Sequence, residues 1–302
     1  MRVGVPSDAW VRVRVPATSA NLGPGFDTLG LALTLHDELA ARVVPSGLTV
    51  TVHGEGASGV ARDESHLVVR AMRRTLHSLG VQPTGLELVC HNAIPHARGL
   101  GSSAAAIVAG ILLAQGLAGI AEPAPSETLV LAAEIEGHAD NVAPCLLGGF
   151  TVAYSTVSGA GALRRDVHPS VVPVALVPPT GSSTELARGL LPATVLHADA
   201  AFAASRAALL VAALTAAPEL LFAATEDVLH QSYRAPAMPD SAALVSLLRA
   251  AGLPAVISGA GPSVLVLARD EGEVEQAGAS APDGWRVLRL GVDSDGAQLA
   301  AR

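Results

Sequence analysis

From Ala104 to Ala121 the chain carries no charged side chain, and Gln115 is the one strongly polar group along it. A segment apolar on every side has no face to give to water, so the rest of the molecule or a lipid bilayer must enclose it. It is rich in Ala and Gly, and it follows directly on Gly99, Leu100, Gly101, Ser102 and Ser103. A polar glycine-serine turn feeding such a stretch marks a buried helix entered from a loop, rather than a membrane span. The fold therefore has to supply layers on more than one side of that helix.

The chain can supply them. Its 302 residues are enough for two modest domains or one large one, and half are hydrophobic while 15% are charged. Aromatics amount to 3%, so the core must be built from Ala, Val and Leu. The net charge of -8 disfavours a partner held by broad phosphate neutralisation, so no nucleic acid is expected. Cys90 and Cys145 form no close pair, which argues for neither a disulfide framework nor a cysteine zinc site. The first residues hold Arg2, Pro6 and Asp8 without an apolar run, so a cytoplasmic protein with no membrane partner is expected.

All 19 Lys+Arg residues are arginine. A Walker P-loop, a protein-kinase strand lysine, a Schiff base and a pyridoxal-phosphate site all need an amine that this chain lacks.

Val11 to Val15 and Leu48 to Val52 alternate with period two and predict strands. Ser65 to Leu79 predicts a helix, and Leu86 to Cys90 a strand leading to the glycine loop. Ser126 is placed to cap a helix running to about Glu136, and a strand follows from Gly149 through Tyr154. The small, polar run from Ser155 to Gly161 is the candidate linker. Beyond it the pattern predicts a strand at Val172 to Val177, helices within 184–190, 197–214, 218–232 and 240–251, two strands near 255–258 and 264–267, and a final helix and strand. Strands separated by helices imply an α+β or α/β architecture.

The segment Ile94-Pro-His-Ala-Arg-Gly99-Leu-Gly101-Ser102-Ser103-Ala-Ala105 carries the most chemistry. Glycines let backbone amides approach an anion, the helix start adds unpaired N–H groups, and serine hydroxyls can bind phosphate or magnesium. Such a loop holds phosphate without lysine. Three further segments stand beside it: Pro16 to Asp27, reading Pro-Ala-Thr-Ser-Ala-Asn-Leu-Gly-Pro-Gly-Phe-Asp; Glu136 to Pro144; and Ser258-Gly-Ala-Gly261-Pro-Ser263. In order and spacing across almost the whole chain, the four resemble the motifs of the GHMP kinases.

That resemblance implies a two-domain α+β fold: an ATP-binding domain over residues 1–158 with a left-handed βαβ unit, and a ferredoxin-like domain over 159–302. It implies transfer of phosphate from Mg-ATP to the hydroxyl of a small-molecule substrate, L-homoserine, by a homodimer. A mevalonate-type alcohol kinase and a catalytically silent metabolite sensor are the alternatives. Nucleotide contacts are expected from Pro95, His96, Ala97, Arg98, Gly99, Leu100, Gly101, Ser102, Ser103, Ala104 and Ala105, with Gly259, Gly261 and Ser263 folding back over them. Magnesium falls to Ser103 and to a carboxylate, Glu136 in preference to Glu134. Asp140, Asn141 and Thr184 are the expected catalytic groups, although phosphoryl transfer can proceed without a dedicated base. Asn21, Asp27, His138, Arg188 and Arg234 are the expected substrate contacts. An acid flanked by Gly25, Phe26 and Leu29 needs a cationic partner if it is buried.

Overall fold

The computed structural model describes residues 9–182 and 184–300, with Thr184 and Glu185 described by their backbone alone. The first sheet is built on β1 (Val11–Asn21) and β2 (Gly25–Val44), two strands of one long hairpin. In β1, Val11, Val13 and Val15 are buried while Arg12 and Arg14 are exposed, as the period-two pattern requires. β3 (Gly47–Gly54) and β4 (Gly85–Asn92) pair in parallel, with α1 (Leu67–Ser78) between them in the chain. β2 pairs with β4 and also with β5 (Phe150–Thr156), and β5 pairs with β6 (Gly159–Arg165). The expected linker at 155–161 is therefore part of a β-hairpin, and position 158/159 falls in its turn. The glycine-alanine run lacks the β-branched residues that signal a strand, so pairing with β5 decides its conformation.

α2 (Ser102–Leu117) is the helix around which the architecture is arranged. Thirteen of its residues from Ala104 to Leu117 are buried, and it packs on α1, β1, α3 (Pro125–Glu136) and α4 (Val142–Leu147). Each fully buried Leu or Ile there contributes roughly 1.5–3 kcal/mol. α3 starts with Pro125 at its first turn and Ala124 as cap, so Ser126 is not the cap. Proline's fixed φ and missing N–H suit that position.

The second sheet has the strand order β10-β7-β9-β8, from β7 (Val172–Val177), β8 (Ala255–Ile257), β9 (Val264–Ala268) and β10 (Arg286–Arg289). Numbered within the domain this is 4-1-3-2 and wholly antiparallel, the ferredoxin-like arrangement expected. Between β7 and β8 lie α5 (Thr184–Gly189), α6 (His197–Thr215), α7 (Leu221–Ala224), α8 (Gln231–Arg234) and α9 (Pro239–Ala250), and α10 (Glu271–Ala279) precedes β10. The predicted helix at 218–232 is broken: Asp227 takes the N–H groups of Leu229, His230 and Gln231 onto its carboxylate, starting a new turn.

Both faces of this sheet are covered. Val174, Leu176, Val264 and Val266 pack with Leu244 and Leu248 of α9, while Ala175, Val177, Leu265 and Leu267 join the larger core around α2. That double burial is why Val264 to Ala268 reads as an unbroken apolar run. α6 is long and apolar enough to suit a membrane by length and composition, and in the fold it lies on α7 and β2. β11 (Gln298–Ala300) returns to the edge of the first sheet beside β1.

Candidate active site

A cleft of about 600 Å³ opens where the four motifs meet. The first motif forms the tip of the β1–β2 hairpin, where Asn21, Leu22 and Gly23 have φ values of 67°, 49° and 86°. A left-handed backbone costs a residue with a side chain on the order of 1–2 kcal/mol. Asn21 offsets this locally: its Oδ1 accepts the Asp27 N–H at 3.0 Å and its Nδ2 donates to the Gly259 carbonyl at 2.8 Å. The first motif is thereby tied to the fourth. Among the described residues, the non-glycine ones with positive φ are Asn21, Leu22, Asp27 and Ala97, and all but Leu22 line the cleft. Strain collects where a fold must aim backbone and side chains at a ligand.

On the opposite wall, Gly99 and Gly101 each have φ of 72°. A Cβ on Gly99 would strike the Ser258 carbonyl, and one on Gly101 the Thr18 hydroxyl. Gly101 caps α2 with no side chain over the first turn, so the helix's leading amides face the cleft. Free amides at a helix start, approached through bare backbone, are a fitting seat for phosphate. The fourth motif braces this loop: the Ser258 hydroxyl donates to the Gly99 carbonyl at 2.6 Å, and the Ser263 N–H donates to the Arg98 carbonyl at 3.3 Å.

At the start of α2, Ser103 Oγ donates to Glu136 Oε2 at 2.7 Å. Burial raises the Glu136 carboxyl above its ordinary range, and the Ser103 bond partly restores it. Glu134 lies on the outer face of α3 and pairs with Arg74 at 2.8 Å. The two acids are thus separated by geometry. Beyond Glu136, His138 Nδ1 lies 2.6 Å from the buried Asp140, and that bond raises the imidazole's pKa above its usual value. Asn141 accepts the Thr18 hydroxyl at 2.9 Å, which leaves its amide N–H groups for other partners. The loop can sit this close because Gly30 of β2 has no Cβ to meet the Asp140 carbonyl.

The remaining wall is cationic. Arg188 donates to both oxygens of Asp27, at 2.7 and 3.1 Å, and this bond raises the arginine's pKa. The sequence expectation that Asp27 needs a cation is met by another residue assigned to the substrate. Arg234 is 2% exposed; its Nε donates to the Ala187 carbonyl at 3.3 Å and its guanidinium lies 5.2 Å from the Phe26 ring centre. Burial lowers its pKa. The same Phe26 ring lies 5.8 Å from Arg188 and 5.3 Å from the His230 ring, so one aromatic spaces all three groups.

Of the residues expected in the site, Asn21, Asp27, Ala97, Gly99, Gly101, Ser102, Ser103, Glu136, His138, Asp140, Asn141, Arg188, Arg234 and Gly259 line the cleft. Thr184 opens α5, but its side chain lies outside the described residues. Pro95, Leu100, Ala104 and Ala105 are buried in the core, and His96 packs beside Gly56 instead. Arg98 directs its guanidinium to the carbonyls of Pro178 and Pro179, on the adjoining segment after β7, and of His96 in its own loop. Ser263 is fully buried, its hydroxyl without a partner among the described residues, and Gly261 lies behind Gly99. Sequence reasoning passed over Thr18, His230 and the spacing role of Phe26. The scarcity of aromatics, with 4 Phe in the chain, was the signal available for Phe26.

Models of two families match the chain, GHMP kinases N terminal domain over residues 66–149 and GHMP kinases C terminal over residues 205–286. The chain is 57% identical to the homoserine kinase of Streptomyces avermitilis, over 96% of each protein. It is 55% identical to that of Leifsonia xyli, covering 96% of this chain and 91% of the relative. In three dimensions it resembles the crystal structure of homoserine kinase from Cytophaga hutchinsonii, with a TM-score of 0.86, 28% identity, and coverage of 96% and 97% of the two chains.

Proposed function

The chain belongs to the GHMP kinases, among the homoserine kinases, and from that membership we infer that its cleft passes the γ-phosphoryl group of ATP to the side-chain hydroxyl of L-homoserine. One observation supports this above the rest. A phosphate seat at the start of α2 shares a single cleft with a carboxylate and two arginines, Asp27, Arg188 and Arg234, the charges that match an α-amino acid. In this reading residues 1–158 supply the phosphate seat and residues 159–302 the arginines.

The triphosphate would lie along Gly99 to Ser103, its oxygens taking the amides at the head of α2. Ser103 and Glu136 offer two hard oxygen donors side by side, a set that suits a magnesium ion retaining water and phosphate ligands. Magnesium bound there would offset charge on the phosphate oxygens. The homoserine ammonium is assigned to Asp27 and its carboxylate to Arg188 and Arg234, with His138 beside them. Asn141, turned by Thr18, is left with N–H groups that can orient the acceptor hydroxyl. It holds no base. The loose transition state of phosphoryl transfer depends on alignment and charge more than on early deprotonation.

The test is a purified-enzyme assay with Mg-ATP and a panel of homoserine, mevalonate, serine and shikimate. O-phospho-L-homoserine should be the dominant product. Turnover of mevalonate at the homoserine rate would overturn the amino-acid reading. Ser103→Ala should fold normally, since the residue is exposed, and should need several-fold more magnesium for half-maximal rate. An unchanged magnesium requirement would remove Ser103 from the ligand set.

A further inference from the structure

We propose that His230 is a positioning residue for substrate: its Nδ1 holds the Arg234 guanidinium while its Nε2 holds the hairpin tip that carries Asp27. The inference rests on the reading that Arg234 receives the homoserine carboxylate.

His230 is fully buried. Its Nε2 lies 2.8 Å from the Gly23 carbonyl, and its Nδ1 lies 3.2 Å from Arg234 NH1. A carbonyl can only accept and a guanidinium can only donate. The ring must therefore carry its proton on Nε2 and present a lone pair at Nδ1, which fixes the neutral tautomer. Asp227 sets the ring's backbone, with Oδ2 accepting the N–H of His230 at 3.1 Å and of Gln231 at 2.8 Å. Its carboxylate stays 3.7 Å from Nε2, outside hydrogen-bond reach. Phe26 covers the ring from the hairpin side.

The imidazole thus joins two parts of the chain far apart in sequence, α8 with its arginine and the β1–β2 tip with its acid. The charged groups facing it are Asp227 in the preceding turn, Arg234 one turn on, Asp27 from the hairpin and, across Phe26, Arg188 from α5. Burial is the largest influence and lowers the imidazole's pKa below its ordinary 6.5, so the ring is neutral at neutral pH. A proton taken up at Nδ1 in acid would remove the acceptor from Arg234 and set two cations against each other. Carboxylate binding should therefore weaken in acid, as pH falls through this lowered value.

The test uses the full-length enzyme and three readouts: KM for homoserine, KM for ATP, and the inhibition constant of 3-amino-1-propanol, which is homoserine without its carboxylate. Glutamine can keep a donor near Nε2 but loses the Nδ1 acceptor, whereas asparagine keeps an acceptor near Nδ1. His230→Gln should raise the homoserine KM about tenfold to a hundredfold, the usual range for losing a hydrogen bond to a charged group. In His230→Gln, ATP and 3-amino-1-propanol should change within about twofold; His230→Asn, which keeps the Nδ1 acceptor and loses the Nε2 donor, should hold the ratio of homoserine KM to the 3-amino-1-propanol constant within about threefold of the parent. Equal shifts of that ratio in the two variants, or loss of 3-amino-1-propanol alongside homoserine in His230→Gln, would reduce His230 to a packing residue. If Arg234→Met raises the homoserine KM and His230→Gln does not, the positioning role falls alone. If Arg234→Met leaves that KM unchanged, the underlying carboxylate assignment falls. Should the variants fail to fold, the parent enzyme still decides. The ratio of homoserine KM to the 3-amino-1-propanol constant should climb in acid, and a flat ratio overturns the proposal.

Discussion

Arg234→Met should raise the homoserine KM by about 30-fold to about 4,000-fold, corresponding to the 2–5 kcal/mol typical of truncating one partner of a desolvated charge pair. The upper part of that range is reachable because Arg234 is 2% exposed, so little water is present to screen the substrate carboxylate. Its Nε and NH1 contacts with the protein, the Ala187 carbonyl and the His230 nitrogen, orient the group without neutralising it. The KM for ATP should hold. The same variant should melt at the parent temperature or above it, because a buried cation with no carboxylate at ion-pair distance among the described residues is a burden on the fold. Loss of substrate binding together with a lowered melting temperature would mean that Arg234 is chiefly structural.

Gly101→Ala is expected to lower kcat by about a hundredfold to a thousandfold, the usual consequence of misplacing one backbone donor at a developing negative charge. Two effects combine. Alanine resists a φ of 72°, and its methyl group would drive into the Thr18 hydroxyl. Thr18 also holds Asn141 at 2.9 Å, so displacing it disturbs the phosphate seat and the acceptor side together. Thr18→Ala in the Gly101→Ala background relieves the clash and should return part of the activity. No recovery in that double variant would locate the damage in the backbone conformation alone.

The outline of the fold was legible because its signals are local. Val172 to Val177 is an unbroken apolar run and is a strand with those limits, and the uncharged run from Ala104 had to be buried. β2 was missed because Gly25 to Val44 does two jobs in succession, pairing first with β5 and then with β4, so no single burial pattern runs along it. The glycine motifs showed the phosphate loop, yet their neighbours divided in a way that sequence alone does not show. Ser103 faces the cleft, whereas Arg98 turns to carbonyls after β7. Glu134 and Glu136 are alike in sequence, and only the direction of α3 separates them. His230 was passed over because its Gly23 partner is brought in only by tertiary structure, and without it the i,i+4 spacing to Arg234 has no special meaning.

The bidentate contact between Asp27 and Arg188 has a consequence for selectivity. Each half of it is already satisfied by the other, at 2.7 and 3.1 Å, so a guest gains entry only by offering a replacement for both. A zwitterion does: its ammonium answers the acid and its carboxylate answers the guanidinium, and the total charge of the pocket is unchanged. A hydroxy acid or a simple amino alcohol can answer one side alone and leaves the other without its counter-ion. Discrimination then comes from charge parity rather than shape. On the proposed assignment the short chain of homoserine needs no tight steric mould, and single-charge alcohols should bind more weakly because of what they would leave behind.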